Sequence, residues 1–301
     1  MKLDKFLKTV QDRVQDVAGA DACVQVQEVR KNNNVVLHGM SILRKGQNVS
    51  PTIYLDSFYE MMEEGTDMEH IVKKILEVYV RGLPRGNVDM DFFKDFDSVR
   101  DRIVYRLVNR EKNRELLQEI PHVDFLDLAV CFCYSYENPE IGEGMILIHN
   151  THLEMWQTSH RELMRLAERN TPRLMPAWLC SMDSALNGIL DEEALAQLRQ
   201  MQRETGKYMY VLSNDRRCQG AAAILYPGML ARAAQQMGGS FYILPSSIHE
   251  VILLRDETQS GGRQLHEMIE DINRNQLREE EVLSDYAYLY DAAAEKVVEI
   301  L

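Results

Sequence analysis

Apolar and polar positions alternate most regularly over residues 220–254, which read GAAAILYPGMLARAAQQMGGSFYILPSSIHEVILL. Short apolar runs between Gly, Pro and Ser are typical of buried strands. Apolar residues three and four positions apart indicate a helix instead. This stretch therefore predicts a strand at 221–225, a helix that ends at Gly238, and strands at 241–244 and 251–254.

The same two periodicities alternate along the rest of the chain. They predict an α+β protein of two lobes, in which mainly antiparallel or mixed sheets are covered by helices. Residues 1–86 form the predicted N-terminal α/β lobe, and the acidic segment 87–101 bridges it to the next lobe. The predicted C-terminal α/β lobe spans residues 102–301 and finishes in an acidic helical tail whose last element is a helix.

Three segments indicate an internal repeat of a β-β-α unit. In each, a strand, a turn and a second apolar segment lead into an amphipathic helix. The likeness is clearest in IYLDSFYEMM at 53–62, ILIHNTHLEMW at 146–156 and ILYPGMLARAA at 224–234. Their spacing is too unequal for a solenoid, which needs a constant period. Duplication and convergence on a common supersecondary unit explain the likeness about equally well.

Three stretches carry a resemblance to a known family. They are the run at 220–254, the distant VLSDYAYLYD at 282–291 and YLDSFYEMMEEG at 54–65. Together they resemble an uncharacterised bacterial family of cytoplasmic proteins, described as a domain of unknown function and frequent in gut anaerobes. The resemblance extends over nearly the whole chain. It implies a cytoplasmic bacterial protein with an intact domain, and it assigns no reaction and no catalytic residues.

Composition narrows the choice of partners. Acidic residues outnumber basic ones by 47 to 34, which leaves a formal net charge of −13. Nucleic acids and anionic membranes favour basic surfaces, so we expect neither as the main partner. The charged start of the chain predicts no signal peptide, and no apolar run approaches the roughly 20 residues of a membrane span. The five cysteines lack metal-site spacing and are expected as reduced thiols in the cytoplasm.

Much of the negative charge lies near the end of the sequence. From Glu250 onward, thirteen acids stand against five bases, a net of −8. Such a region is ordinarily a solvated face. The alternative is a docking surface for a basic protein partner.

One corner holds candidate catalytic residues: Ser246, Ser247, His249 and Glu250 lie together between two predicted strands. A serine, a histidine and a carboxylate can act as nucleophile, base and orienting group. Residues this close on a tight turn rarely converge, however, and no G-x-S-x-G motif surrounds the serines. The alternative is that the serines bond turn amides and the His-Glu pair opens a strand edge.

Arg216 and Arg217 are candidates for ligand binding, because two guanidinium groups on a tight turn can hold a carboxylate or a phosphate. The alternative is a solvated hairpin tip. Phosphate-loop and dinucleotide-binding fingerprints are absent from the sequence, and we predict no cofactor.

Three histidines, His149, His152 and His160, fall within twelve residues and are candidate metal ligands. Residues three positions apart on a helix can share a metal, and a following helix can supply a third ligand. No H-E-x-x-H motif is present, and Asn150 and Thr151 resemble a helix cap. An ordinary helix start with exposed histidines is the alternative.

These observations favour a non-enzymatic protein-binding or regulatory module, with sheet edges and the acidic C-terminal region as contact surfaces. We expect a protein partner rather than a nucleic acid or a membrane. The alternative is a hydrolase whose site lies near Ser247, His249 and Glu250, with Arg216 or Arg217 holding an anion. Whether the protein is an enzyme, and its oligomeric state, stay open at this point.

Overall fold

Helices and antiparallel strands divide between two units in the computed structural model of the protein. The structure describes residues 1–84, 86–87, 89–138, 142–245, 247–256 and 262–300. Unit 1 contains residues 1–92 and 136–144, and unit 2 contains residues 93–135 and 145–301.

Unit 1 places helices on one small sheet. Its elements, in chain order, are α1 (Leu3–Ala18), β1 (Ala22–Arg30), β2 (Val36–Arg44), β3 (Thr52–Tyr54), α2 (Asp56–Glu63) and α3 (Met68–Gly82). The strands are antiparallel, in the order β1-β2-β3. Phe6 and Val10 of α1 and Ile71 and Ile75 of α3 are fully buried in the core that these helices form with the sheet.

The middle of the chain forms a four-stranded sheet and the helices around it. These elements are α4 (Phe96–Val99), β4 (Ile103–Asn109), α5 (Arg114–Glu119), β5 (His122–Phe125), β6 (Leu128–Asn138), β7 (Gly142–Leu147), α6 (Asn150–Trp156) and α7 (His160–Leu174). The strand order is β4-β6-β5, and β7 also pairs with β6. Every residue from Leu128 to Ser135 is buried, as expected of a strand covered on both faces.

The last part of the chain forms a six-stranded antiparallel sheet in the order β13-β12-β10-β11-β9-β8. Its elements are β8 (Ala177–Ser181), α8 (Met182–Ala185), α9 (Glu192–Thr205), β9 (Lys207–Asn214), α10 (Met229–Met237), β10 (Phe241–Leu244), β11 (Val251–Asp256), α11 (Gly262–Asn275), β12 (Ala287–Asp291) and β13 (Lys296–Ile300).

The prediction of an α+β protein with mainly antiparallel sheets is confirmed.

Several helices begin where the sequence offers a cap. The side chains of Asp67, Ser159 and Asp191 accept hydrogen bonds from backbone N–H groups in the first turns of α3, α7 and α9, at 3.0, 3.3 and 2.8 Å. In the described residues, no helix is both long enough and apolar enough to cross a bilayer.

The three-fold repeat of β-β-α units is not confirmed, because its third member differs. Residues 53–62 and 146–156 pass from a strand into a helix, but the predicted strand at 221–225 is wrong. Residues Gly220–Leu225 form a 3₁₀ helix, buried throughout Gly220–Ile224, that packs against β9 and β4. A short apolar run does not distinguish strand from helix by its period, and alanines allow this turn to pack closely.

The predicted closing helix is also wrong, since β13 ends the described chain as a strand. It pairs antiparallel with β12, with Tyr290 opposite Val297. The β-branched pair Val297 and Val298 favours a strand, and Glu295 adopts the positive φ of 50° that the connecting turn requires. The earlier tail segment α11 is helical as predicted.

A partly buried polar contact attaches the C-terminal segment to the turn between β5 and β6, within unit 2. The Asp127 carboxylate accepts hydrogen bonds from the Ser284 hydroxyl at 2.7 Å and the Tyr288 hydroxyl at 2.5 Å. Ser284 and Tyr288 are both fully buried. Because hydrogen bonds to a charged group are stronger than neutral ones, this contact helps fix β12 in place.

We predict that Gly220→Ala destabilises the protein by about 1–3 kcal/mol. A Cβ at this position would lie 2.7 Å from the Asn214 backbone nitrogen, and closer still to the Ser213 hydroxyl and the His249 carbonyl oxygen. Urea denaturation measures the free energy of unfolding.

Gly144→Ala is the matched control, since a Cβ there meets nothing within 4 Å. Its free energy of unfolding should stay within about 0.5 kcal/mol of the parent value. Equal unfolding free energies for the two variants would contradict the tight packing described around Gly220.

Candidate functional site

The turn after β9 carries Arg216 and Arg217 and is held by a buried asparagine. Asn214, which is fully buried, accepts a hydrogen bond from the Cys218 N–H at 3.3 Å and donates one to the Cys218 carbonyl oxygen at 2.8 Å. Arg217 and Gln219 adopt positive φ angles of 49° and 53°. The turn leads into the 3₁₀ helix, so the predicted hairpin has no second strand.

Arg217 lies over an aromatic ring, with its Cζ 4.5 Å from the centroid of Trp178. This cation–π contact orients the guanidinium group at the surface. Burial raises the pKa of the Cys180 thiol, and the positive charge of Arg217 opposes that rise. Partial burial likewise raises the pKa of the Cys218 thiol, although part of this side chain is exposed, and Arg216 acts in the opposite direction. Both thiols are therefore poor nucleophiles at neutral pH.

Backbone hydrogen bonds occupy the corner at 247–249. The buried Ser247 hydroxyl accepts a hydrogen bond from the His249 N–H at 3.0 Å. The Ile248 N–H donates to the Glu281 carbonyl oxygen at 2.9 Å, and the Ser213 hydroxyl donates to the His249 carbonyl oxygen at 2.7 Å. The hydroxyl of Ser247 thus serves the turn, and among the described residues no hydrogen bond joins it to an imidazole.

The His249 ring lies between the arginine turn and a glutamate. Its Nδ1 accepts a hydrogen bond from the Gln219 N–H at 3.4 Å, which places the proton of the neutral ring on Nε2. That nitrogen is 3.8 Å from the Oε1 of Glu281. The fold therefore brings His249 beside the turn that carries Arg216 and Arg217, and its carboxylate neighbour is Glu281.

Arg278 controls the ionisation of Glu281. Burial acts to raise the pKa of Glu281, but a side-chain hydrogen bond from Arg278 and its positive charge outweigh that effect, and His249 adds to the lowering. The net result is a pKa below the ordinary value for glutamate. The ionised carboxylate of Glu281 is thereby favoured in the folded protein.

The described contact between His249 and Glu281 leaves two other candidate catalytic residues, Glu250 and Ser246. Glu250 is half-buried next to β11, and within the described residues its side chain makes no hydrogen bond or ion pair. Ser246 lies outside the described residues. A catalytic role for Ser246, Ser247, His249 or Glu250 stays a prediction, as does anion binding by the two arginines.

The three candidate metal ligands have different surroundings. His149 caps α6, and its backbone N–H donates to the Nδ1 of His152 at 2.9 Å. The His152 ring stacks on Trp156, and burial followed by the charge of His149 lowers its pKa. His160 is exposed at the first residue of α7. The described part of the chain contains no group of three potential ligands placed to hold a metal.

A groove between α1 and α3 is a surface feature that the sequence did not reveal. We call it the α1–α3 groove; its volume is about 790 Å³. Its apolar lining consists of Val17 of α1 and Val72, Leu76 and Val80 of α3. Val17 and Val80 are 64% and 65% exposed, which is unusual for valines side by side on neighbouring helices.

Charged side chains of both signs border the groove. The bases are Arg13, Lys73 and Arg81, and the acids are Asp16, Glu69 and Glu77. Within the described residues, none of these six side chains forms an ion pair or a side-chain hydrogen bond. The groove therefore has an apolar floor and a polar rim of mixed charge.

The spacing of apolar residues in α3 is one sequence signal that could have indicated this groove. In α3, Ile71, Ile75 and Tyr79 face the core, so the apolar positions at 72, 76 and 80 extend beyond a single buried stripe. An excess of apolar positions on a helix signals a second contact face, but it does not show whether a neighbouring element covers that face.

Over the residues that the structure describes, the fold is of the α+β class and has three mainly antiparallel sheets. The chain belongs to a family of unknown function, DUF5688, which it matches over residues 3–292. No curated protein and no solved structure gives a significant match to it.

We predict that Glu281 stabilises the folded protein at neutral pH and ceases to do so in acid. Its folded-state pKa is lowered, so the contribution is present above the unfolded pKa of about 4.3 and is lost as the pH falls through the folded value. At pH 7, Glu281→Gln should cost about 1 kcal/mol at most, because the Arg278 partner is largely exposed. Urea denaturation at pH 7 and near pH 3 measures this difference.

The exposed Glu64→Gln variant is the control, since the Glu64 side chain forms no hydrogen bond or ion pair within the described residues. A stability difference between the parent and Glu281→Gln that is unchanged near pH 3 would contradict the assignment.

Proposed function

We propose that this protein is a non-enzymatic binding module whose docking surface is the α1–α3 groove, and that the groove accepts an amphipathic α-helix. The observation that carries this proposal is the open apolar floor with Val17 and Val80 each about two-thirds exposed. Burying such valines recovers roughly 25 cal/mol for every Å² of apolar surface removed from water.

The dimensions of the groove support a helical ligand. Along α3 it extends from Glu69 to Arg81, a distance of about 18 Å at 1.5 Å per residue. That length corresponds to about three turns of a partner helix. Grooves of this kind bind helices through apolar residues three, four and seven positions apart.

The rim charges support a protein rather than an anionic polymer or membrane. The three bases are balanced by three acids, so the groove has no net positive charge. Nucleic acid and anionic lipid both require an excess of lysine and arginine. The groove supports this proposal more directly than the sheet edges or the acidic C-terminal region do.

The hydrolase alternative has weaker support. A serine nucleophile needs its hydroxyl within hydrogen-bond reach of a base. The Ser247 hydroxyl instead bonds the His249 backbone N–H, and the His249 ring contacts Gln219 and Glu281. These contacts suit a stabilised turn better than acyl transfer.

We also propose a cytoplasmic location. The five cysteines are free thiols, and Cys23 and Cys218 are exposed. Exposed unpaired cysteines are typical of a reducing compartment.

We predict that a photoreactive benzophenone side chain at residue 80 or residue 17 attaches covalently to a partner polypeptide in cells that make the protein. Both positions are exposed, so the substitution leaves the core intact. Mass spectrometry of the adduct should identify a segment from an amphipathic helix. Adding Val17→Asp should abolish the adduct formed at residue 80, because the aspartate places a charge in the apolar floor.

The same side chain at Ile189, which is 73% exposed and far from the groove in sequence, is the matched control. Equal attachment at residues 80 and 189, or attachment that survives Val17→Asp, contradicts the proposed docking surface. Absence of any adduct at residues 17 and 80 contradicts it as well.

A further inference from the structure

We infer that the helix bound in the α1–α3 groove is α3 of a second copy of this chain, packed antiparallel about a two-fold axis. This inference rests on the proposed function and names its partner. It follows from the order of charges on the rim of the groove.

The charges along α3 form a regular row. Glu69, Lys73, Glu77 and Arg81 occur every four residues and alternate in sign. Residues four apart on a helix lie on one side of it, so these side chains form one charged edge. Beside that edge runs the apolar row Val72, Leu76 and Val80, also spaced by four.

An antiparallel two-fold arrangement makes this row complementary to itself. When the two-fold axis passes beside position 75, each residue of α3 faces the residue of the partner's α3 whose number, added to its own, gives 150. Glu69 then lies opposite the partner's Arg81, and Lys73 lies opposite the partner's Glu77. Symmetry repeats both contacts, so every acid in the row faces a base.

A shift of the axis by two residues, to a point beside position 73, would destroy this match. Lys73 would then lie opposite the partner's Lys73, and Glu69 opposite the partner's Glu77, so like charges would face each other at these contacts. Like charges placed close together disfavour association. The antiparallel register with the axis beside position 75 is therefore the one in which all four charges of the row face an opposite charge.

The two apolar rows meet in the same arrangement. The axis beside position 75 places Leu76 near the partner's Leu76 at the centre. Val72 and Val80 lie on either side, and Val17 of α1 extends the apolar surface. Packing two α3 helices between two α1 helices produces a four-helix arrangement with a buried apolar seam.

Overall charge explains why this face suits a second copy. The chain carries a net charge of −13, so most surfaces of two copies repel each other. The groove rim has three bases and three acids and is neutral. It is therefore a surface through which two identical acidic chains can approach.

The test is a charge exchange between the facing positions 73 and 77. Lys73→Glu alone and Glu77→Lys alone each place like charges opposite each other at two symmetric contacts. Either change should raise the dimer dissociation constant roughly tenfold at low ionic strength, where exposed pairs are least screened. The double variant Lys73→Glu/Glu77→Lys restores opposite charges and should return the constant to within about threefold of the parent value. Sedimentation equilibrium measures the constant in each case.

Two controls make the result specific. Arg203→Glu, an exposed charge reversal on α9, should leave the dissociation constant unchanged. Val80→Asp should give monomers, and its circular dichroism should match the parent because Val80 is 65% exposed.

Three results overturn this inference: a monomeric parent protein at high concentration, single reversals without effect, or a double variant as weak as the singles. If the benzophenone at residue 80 nevertheless captures an amphipathic helix from another protein, the docking surface stands and only the second copy is rejected. If the parent protein does not dimerise and benzophenone at residues 17 and 80 captures no polypeptide, both proposals fail.

Discussion

Helix α3 has more apolar surface than its own unit covers. Ile71, Ile75 and Tyr79 are buried in the core of unit 1, and these contacts fix the position of the helix. The neighbouring row of Val72, Leu76 and Val80 is left along the edge, where exposure rises from 8% at Val72 to 65% at Val80. The packing that stabilises unit 1 thereby creates the α1–α3 groove, and removal of its apolar surface from water is the driving force of the docking that we propose.

The corner around His249 differs from the α1–α3 groove, because its polar groups already form hydrogen bonds within the fold. The Ser247 and Ser213 hydroxyls and the Asn214 amide all bond backbone groups, and the His249 ring lies between Gln219 and Glu281. A buried polar group without a hydrogen-bond partner lowers the stability of the folded protein. Stabilisation of the fold is therefore sufficient to explain these hydrogen bonds, without a catalytic role. A site for a ligand usually keeps some polar groups available, as the rim of the groove does.

Local periodicity predicted the elements whose residues decide their own structure. In α10, the apolar positions Met229, Leu230, Ala233, Ala234 and Met237 are all buried, and Gly238 follows with a φ of 83°. The strand predicted at 221–225 is wrong because five apolar residues, three of them alanine, fit either a strand or a tight helix, and the surrounding packing decides between the two. The contact of His249 with Glu281 depends on strand order, which no local pattern specifies. The groove was hidden because sequence does not show which apolar faces stay uncovered.

The most direct measurement of the central claim is disulfide trapping across the two-fold axis. In a background with Cys23→Ser and Cys218→Ser, which removes the exposed thiols, a cysteine at position 76 lies beside its symmetry mate. A cysteine at position 80 lies five residues from the axis, so its mate is about 15 Å away along the helix. We predict that mild oxidation gives a covalent dimer for Leu76→Cys and not for Val80→Cys. Efficient trapping at position 80, or none at position 76, would contradict the antiparallel pairing of α3.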